Sequence, residues 1–133
     1  MKLIPYLHFN GNCEEALNNY IEIFGGSGGV TSRFGDAPSF PVPDDYKNKV
    51  MHAHLEFDDN VIFMSDCGPG RTIEHGNGIA MSIGLEDEAQ THAIFDRLAE
   101  GGQVIMPLEK QFWGDIFGQL IDKYGIRWML NCH

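Results

Sequence analysis

Hydrophobic and polar positions along this chain spell one pattern twice. Residues 3–9 form a short apolar run that predicts a strand. Asn12 and Glu15 follow with capping-box spacing, in which the Asn side chain accepts from a first-turn amide and the Glu reaches back. Leu17, Tyr20, Ile21 and Phe24 then recur as one helical face, and Gly25-Gly26 predicts the stop, since glycine takes the left-handed cap without steric cost. Further on, residues 79–85 read as a strand and Asp87 with Gln90 as a cap. Thr91, Ile94, Phe95 and Leu98 repeat the stripe, and Gly101-Gly102 repeats the stop. Each half closes in a hairpin. The first joins residues 50–57 and 61–65 about Asp58-Asp59-Asn60; the second joins 116–121 and 126–131 about Asp122-Lys123-Tyr124-Gly125. The pattern predicts two copies of strand–helix–strand–strand–strand, residues 1–66 and 78–133 with a linker at 67–77, in one domain spanning 1–133. Residues 36–48, with Pro38, Pro41 and Pro43, predict a long loop or lid in the first copy.

Composition narrows the function classes. The 133 residues carry a formal charge of −10, which argues against nucleic acid and against anionic membranes, because both need a basic surface. No uncharged apolar run approaches the ~18 residues of a membrane span, and the N-terminal residues lack the apolar core of a signal peptide. Cys13, Cys67 and Cys132 are odd in number and widely spaced, which fits a reducing, cytoplasmic setting and no thiolate zinc site. Gly25-Gly26-Ser27-Gly28-Gly29 is glycine-rich like a phosphate loop. It follows a predicted helix and precedes a strand, whereas a phosphate loop follows a strand and opens a helix. No nucleotide or methyltransferase-type cofactor loop is expected there.

The most polar strand is residues 50–57. Met51, Ala53, Leu55 and Phe57 make an apolar face; His52, His54 and Glu56 make the other, at steps of ~6.5–7 Å. Such a face admits three uses: a metal site through neutral imidazoles, acid–base work with Glu56 orienting a histidine, or plain solvation. His8 is expected to pack toward the first helix as a core or capping residue; His75, His92 and His133 are expected on the surface. Phe112-Trp113-Gly114 is expected as a ligand wall or a subunit contact. Asp66 and Asp115 read as structural, and Cys67 and Cys132 lack a base that would make either a nucleophile.

Pro5-Tyr6-Leu7-His8-Phe9-Asn10-Gly11, Glu14-Glu15-Ala16-Leu17, Tyr20, Phe24-Gly25-Gly26, Met51-His52-Ala53, Met64-Ser65-Asp66, Met106-Pro107-Leu108, Phe112-Trp113-Gly114 and Gly125-Ile126-Arg127-Trp128 together resemble the PhnB-like branch of the vicinal oxygen chelate superfamily. That superfamily holds glyoxalase I, extradiol dioxygenases, fosfomycin-resistance enzymes and bleomycin-binding proteins. The resemblance runs from about residue 3 to 132. It implies an α+β fold of duplicated βαβββ modules, forming a cupped, barrel-like mixed sheet with helices outside, and it implies a homodimer. The family's metal ligands would fall on Pro5 (or near Leu7), Phe63, Gly78 and Met129. None brings a strong donor for a divalent ion, so the resemblance implies that the metal site is lost and that no cofactor is bound. The same registration turns Arg127, Met129 and Asn131 toward the cup and Ile126, Trp128 and Leu130 toward the helices. It also turns the small Gly78, Ala80, Ser82 and Gly84 toward the cup, to make room for a ligand or to ease strand packing. The expected function is binding of a small molecule in that cup, touched by Phe63, Trp113, Arg127, Met129 and Asn131. The alternative is a metal-dependent lyase, transferase or dioxygenase-type enzyme using His52, His54 and Glu56 as catalytic residues. Whether the chain is an enzyme stays open.

Overall fold

In the computed structural model, which describes residues 1–37 and 41–133, the first strand β1 is Tyr6–Phe9, shorter than the apolar run. Pro5 explains the late start, because it brings no N–H to a ladder. Its carbonyl accepts from Phe63 N at 3.0 Å, and Leu3 before it is 98% exposed. Helix α1, Cys13–Phe24, buries Cys13, Ala16, Leu17, Tyr20 and Ile23. Ile21, placed in the stripe by spacing, is only half-buried.

The expected cap of α1 is not what forms. Asn12 makes no side-chain cap bond. The acceptor comes instead from Asp66, at the end of strand β4 (Asn60–Asp66): its Oδ1 accepts from Cys13 N at 2.9 Å. A carboxylate at the helix N-terminus satisfies an orphan amide and meets the positive end of the helix dipole, so it displaces a neutral local cap. The other oxygen, Oδ2, accepts from Val50 N at 2.9 Å, at the start of strand β3 (Val50–Phe57). The helix stop forms as expected: Gly25 sits at φ +65°, and Gly26 N donates to Ile21 O at 3.0 Å.

Strand β2, Ser27–Arg33, completes a four-stranded sheet in the order β1-β4-β3-β2, with β1 parallel to β4. The glycine run has a packing cause. A Cβ at Gly26 would lie 2.3 Å from Glu56 O, and one at Gly28 would lie 2.2 Å from His54 O. One face of the sheet packs under α1 and buries Phe9, Ala53, Leu55, Ile62 and Met64. Arg33 grips Glu14 with both guanidinium nitrogens at 2.9 Å, fastening the end of β2 to α1. The expected loop of 36–48 is tied down on both sides. Phe34 N donates to Lys49 O and Gly35 N to Lys47 O, each at 3.0 Å. The Tyr46 hydroxyl donates to the Cys67 carbonyl, and burial pushes that phenol up to about 12. Pro38 lies outside the described residues.

The second unit repeats the order. Strand β5 is Met81–Leu85, two residues shorter than expected, and Ile79 before it is 83% exposed rather than packed under a helix. Helix α2, Glu88–Ala99, has the predicted cap, with Asp87 Oδ1 accepting from Gln90 N at 2.9 Å. Its predicted stripe, Thr91, Ile94, Phe95 and Leu98, is buried. Strands β6 (Gln103–Lys110), β7 (Ile116–Ile121) and β8 (Arg127–Cys132) give the sheet order β5-β8-β7-β6, again with the first and last strands parallel. Here the buried Asp122 organises the hairpin. Its Oδ1 accepts from Tyr124 N at 2.9 Å and Ile126 N at 3.0 Å, and its Oδ2 accepts from Trp128 Nε1 at 2.8 Å. His75 is half-buried with its ring against Gly125, not on the surface as its linker position suggested.

The chain thus divides into two units, Met1–Glu74 and His75–His133, each a helix on a four-stranded mixed sheet. This is the duplicated βαβββ arrangement of an α+β protein. Among the described residues no helix is long and apolar enough to cross a membrane.

Asp66→Ala strands two buried amides and should cost about 3–6 kcal/mol, at ~1.5–3 kcal/mol per lost charged hydrogen bond. Asp66→Asn keeps one acceptor oxygen and should cost roughly half as much. Urea unfolding followed by circular dichroism would read both. Equal stability of all three proteins would refute the role given to Asp66.

Candidate functional site

Each sheet has a second face, turned away from its own helix, and the strand residues singled out as a site lie there. Paired residues on neighbouring strands share a face. In the first unit Tyr6 pairs with Phe63 and Phe63 pairs with His54, so all three stand on the open side. His52 and Glu56, two residues either way along β3, join them. His52, His54 and Phe63 are half-buried, while Glu56 is exposed. Tyr6, 41% exposed, places its hydroxyl 3.0 Å from His52 Nδ1. The His52 ring meets Phe63 edge-on at 4.8 Å, and Tyr6 meets Phe63 edge-on at 6.2 Å.

His8 also belongs to this face, contrary to the expectation that it packs toward α1. A residue two along from Tyr6 must share its side of the strand. His8 is exposed, stacks on Tyr6 at 4.9 Å and lies 3.3 Å by Nδ1 from Ser65 Oγ. The pattern reading passed over Tyr6. Its signal was available: it sits at the same strand parity as a histidine.

In the second unit Arg127, Met129 and Asn131 are half-buried on the side of β8 opposite the buried Trp128 and Leu130, as the registration implied. Their neighbours are Ser82 and Gly84 on β5 and Phe117, Gln119 and Ile121 on β7. A Cβ built at Gly84 would meet nothing within 4 Å. Close strand packing therefore does not require that glycine, and the space beside it is open. Gly78 and Ala80 precede β5 and are not strand residues. Trp113 is 49% exposed in the turn between β6 and β7, edge-on to Phe117 at 5.9 Å and to the exposed Phe112 at 5.0 Å. The turn is closed by Gln111 N to Asp115 O at 2.8 Å, with Gly114 at φ +101°.

Asp115, read from the sequence as structural, is a hub. Its Oδ2 accepts from Asn131 Nδ2 at 2.9 Å and lies 3.0 Å from His133 Nδ1. Asn131, expected as a ligand contact, is thereby engaged inside the protein. The expected residues are grouped by unit: His52, His54, Glu56 and Phe63 on one open face, Trp113, Arg127, Met129 and Asn131 about the other.

The positions that the resemblance assigns to a metal do not suit one. Pro5, Phe63 and Gly78 carry no donor side chain, Met129 has only a thioether, and Leu7 is apolar. Among the described residues no three His, Cys, Asp or Glu side chains are grouped to hold an ion. Burial, aided by the Asp66 and Glu14 carboxylates, pushes the Cys13 thiol far up, out of the reactive range. The Cys67 thiol donates to Arg71 O at 3.2 Å. A cleft of about 490 Å³ in the second unit, bordered by Glu86, Glu88, His92, Glu109, Lys110 and His133, contains none of the residues expected at the site.

The Asn131 amide first, and His133 after it, hold the Asp115 carboxyl below the usual carboxylate range. A group depressed on folding contributes stability above its unfolded value, about 3.9, and that contribution is lost as pH falls through the lower folded value. Asn131→Ala should therefore move the Asp115 midpoint upward, read by carboxyl-carbon NMR. An unmoved midpoint would refute the hub.

Comparison with known proteins agrees with this geometry. A family model described as 3-demethylubiquinone-9 3-methyltransferase matches residues 1–131. Protein YjdN of Escherichia coli is 29% identical, over 98% of this chain and 95% of its own. The crystal structure of protein PA1353 from Pseudomonas aeruginosa is 39% identical with a TM-score of 0.88, covering 100% of this chain and 98% of that one. The PhnB protein of Bacillus cereus, described by the same methyltransferase name, is 25% identical with a TM-score of 0.80 over the full length of both. Glyoxalase/bleomycin resistance proteins and a glyoxalase-related enzyme share the fold alone, at 12–18% identity and TM-scores of 0.61–0.65. The two repeated βαβββ units, the full-length family match and these likenesses agree: the chain belongs to the PhnB-like family described as 3-demethylubiquinone-9 3-methyltransferase.

Proposed function

We propose that this protein binds a small organic molecule against the open faces of its sheets, with no metal at the superfamily positions. The observation that carries the reading is the make-up of the first sheet's open face. Tyr6, His52, His54 and Phe63 stand there partly exposed, with the Tyr6 hydroxyl on His52 and Phe63 edge-on to the same ring, so that ring surface and polar atoms are offered together. The second unit supports it with the half-exposed Trp113 on Phe117, with Arg127 and Met129 half-buried on the open side of β8, and with open space at Gly84. Aromatic rings at such a surface stack planar guests, while a few polar groups set orientation.

Fold does not choose between chemistries. Methyl transfer, named in the family's description, draws no support from the glycine run, which is a helix stop and an edge strand packed on β3. The second reading is a metal-dependent enzyme using His52, His54 and Glu56. Its support is their common face; against it, Tyr6 already engages His52 Nδ1. Self-association into a homodimer is part of the proposal, supported by Val104, Ile105 and Met106, exposed on the edge strand β6.

A thermal-shift screen of small molecules on untagged protein tests the reading. We expect specific ligands to raise the melting temperature, with the shift halved or lost in Trp113→Ala or in His52→Ala, according to the face that holds the ligand. A ligand shift unchanged in both variants would remove these faces from the site. Metal analysis of the same protein should find no stoichiometric zinc, nickel, manganese or iron. Finding one at unit stoichiometry, lost in His54→Ala, would favour the enzyme reading. Light scattering should return twice the chain mass.

A further inference from the structure

The hydrogen bond between Tyr6 and His52 decides more than a contact, because it selects a tautomer. A neutral imidazole has one N–H and one bare nitrogen, and the partner of one fixes the state of the other. Here the partner of Nδ1 is a phenol at 3.0 Å. A phenol O–H is a stronger proton donor than an imidazole N–H, and an imidazole nitrogen is a stronger acceptor than a phenol oxygen. Tyr6 therefore donates to Nδ1, and the proton of His52 resides on Nε2. Next to it lie flat π surfaces: Tyr6 stacked on His8 at 4.9 Å and Phe63 edge-on to His52 at 4.8 Å. The carboxylate carried by this face, Glu56, stands four residues along β3 from His52, ~13 Å at strand rise.

From this geometry we propose that the open face of the first sheet takes a planar conjugated carboxylate. One of its oxygens accepts from His52 Nε2–H, and its π system lies against the Tyr6 and Phe63 rings. The proposal rests on the small-molecule reading above and specifies its guest as an acceptor-bearing anion rather than a cation, despite the chain's net charge of −10. Tyr6 is a positioning residue: it acts through His52 by holding the tautomer. The same arrangement sets this face against a divalent ion at Nδ1, which a metal would have to share with the phenol.

Two measurements test it independently. The first needs no ligand. Long-range proton–nitrogen NMR of the histidine rings, recorded above their titration range, should show His52 as the Nε2–H tautomer and a mixture of tautomers in Tyr6→Phe. An Nδ1–H ring in the unaltered protein would overturn the assignment. The second uses benzoate as probe and benzylamine as the cation of similar shape. Benzoate should shift the His52 and His54 ring signals and benzylamine should not. Tyr6→Phe should weaken benzoate in proportion to the fraction of His52 rings that leave the Nε2–H tautomer, about twofold for an even mixture. His52→Gln, which keeps a side-chain N–H, should hold benzoate better than His52→Ala, with circular dichroism confirming that each variant folds. Equal binding of benzylamine, or no shift at this face with benzoate, would overturn the proposal. Stabilisation by other compounds in the screen would still uphold the broader reading; the absence of any stabilising compound would sink that reading itself.

Discussion

A single buried carboxylate joins the pieces of the first unit. Asp66 ends β4, yet its two oxygens serve other elements: one accepts from the first amide of α1, the other from the first amide of β3. An amide buried without a partner costs a large fraction of the stability a domain possesses. Helix, central strand and parallel strand therefore cannot be placed independently. With α1 fixed over β3 and β4, Ala53, Leu55, Ile62 and Met64 face inward, and alternation turns His52, His54 and Phe63 outward. The open face is thus a consequence of the capping bond on the other side of the sheet.

The second unit reaches the same topology through a different carboxylate. Asp122 lies in the β7–β8 turn and accepts from two turn amides and from the indole of Trp128. Trp128 fills the space under α2, while α2 carries its own local cap at Asp87. Two copies of one architecture thus secure their helices by different means, one tertiary and one local. What the copies share is the strand order and the inward stripe, which any βαβββ unit needs to cover one face of its sheet.

The open faces are where the two copies diverge in chemistry. The first is rich in imidazole and phenol, the second in a guanidinium, a thioether and an exposed indole. The positions that the resemblance assigns to an ion, Pro5, Phe63, Gly78 and Met129, bring no strong donor.

Elements governed by periodicity were legible from the sequence. The stripe of α2, both glycine stops, both hairpins and the alternation along β3 and β8 depend on residues a few positions apart, where helix and strand geometry is set locally. The family resemblance was legible too, because it rests on residue order. Features that depend on residues brought together from afar were not. Asn12 had the right spacing for a cap, but a buried carboxylate fifty-three residues from Cys13 outcompeted it. The spacing puts His8 toward α1 as a core or capping residue, whereas it stands beside Tyr6 on the open face. The link between Tyr6 and His52 spans forty-six residues and exists only because β4 holds β1 and β3 in register. The sequence by itself determined which side chains alternate, where helices stop and which donors are missing. Only the tertiary structure decided which acceptor wins each buried amide and which ring meets which, because those outcomes depend on competition between partners distant in the chain.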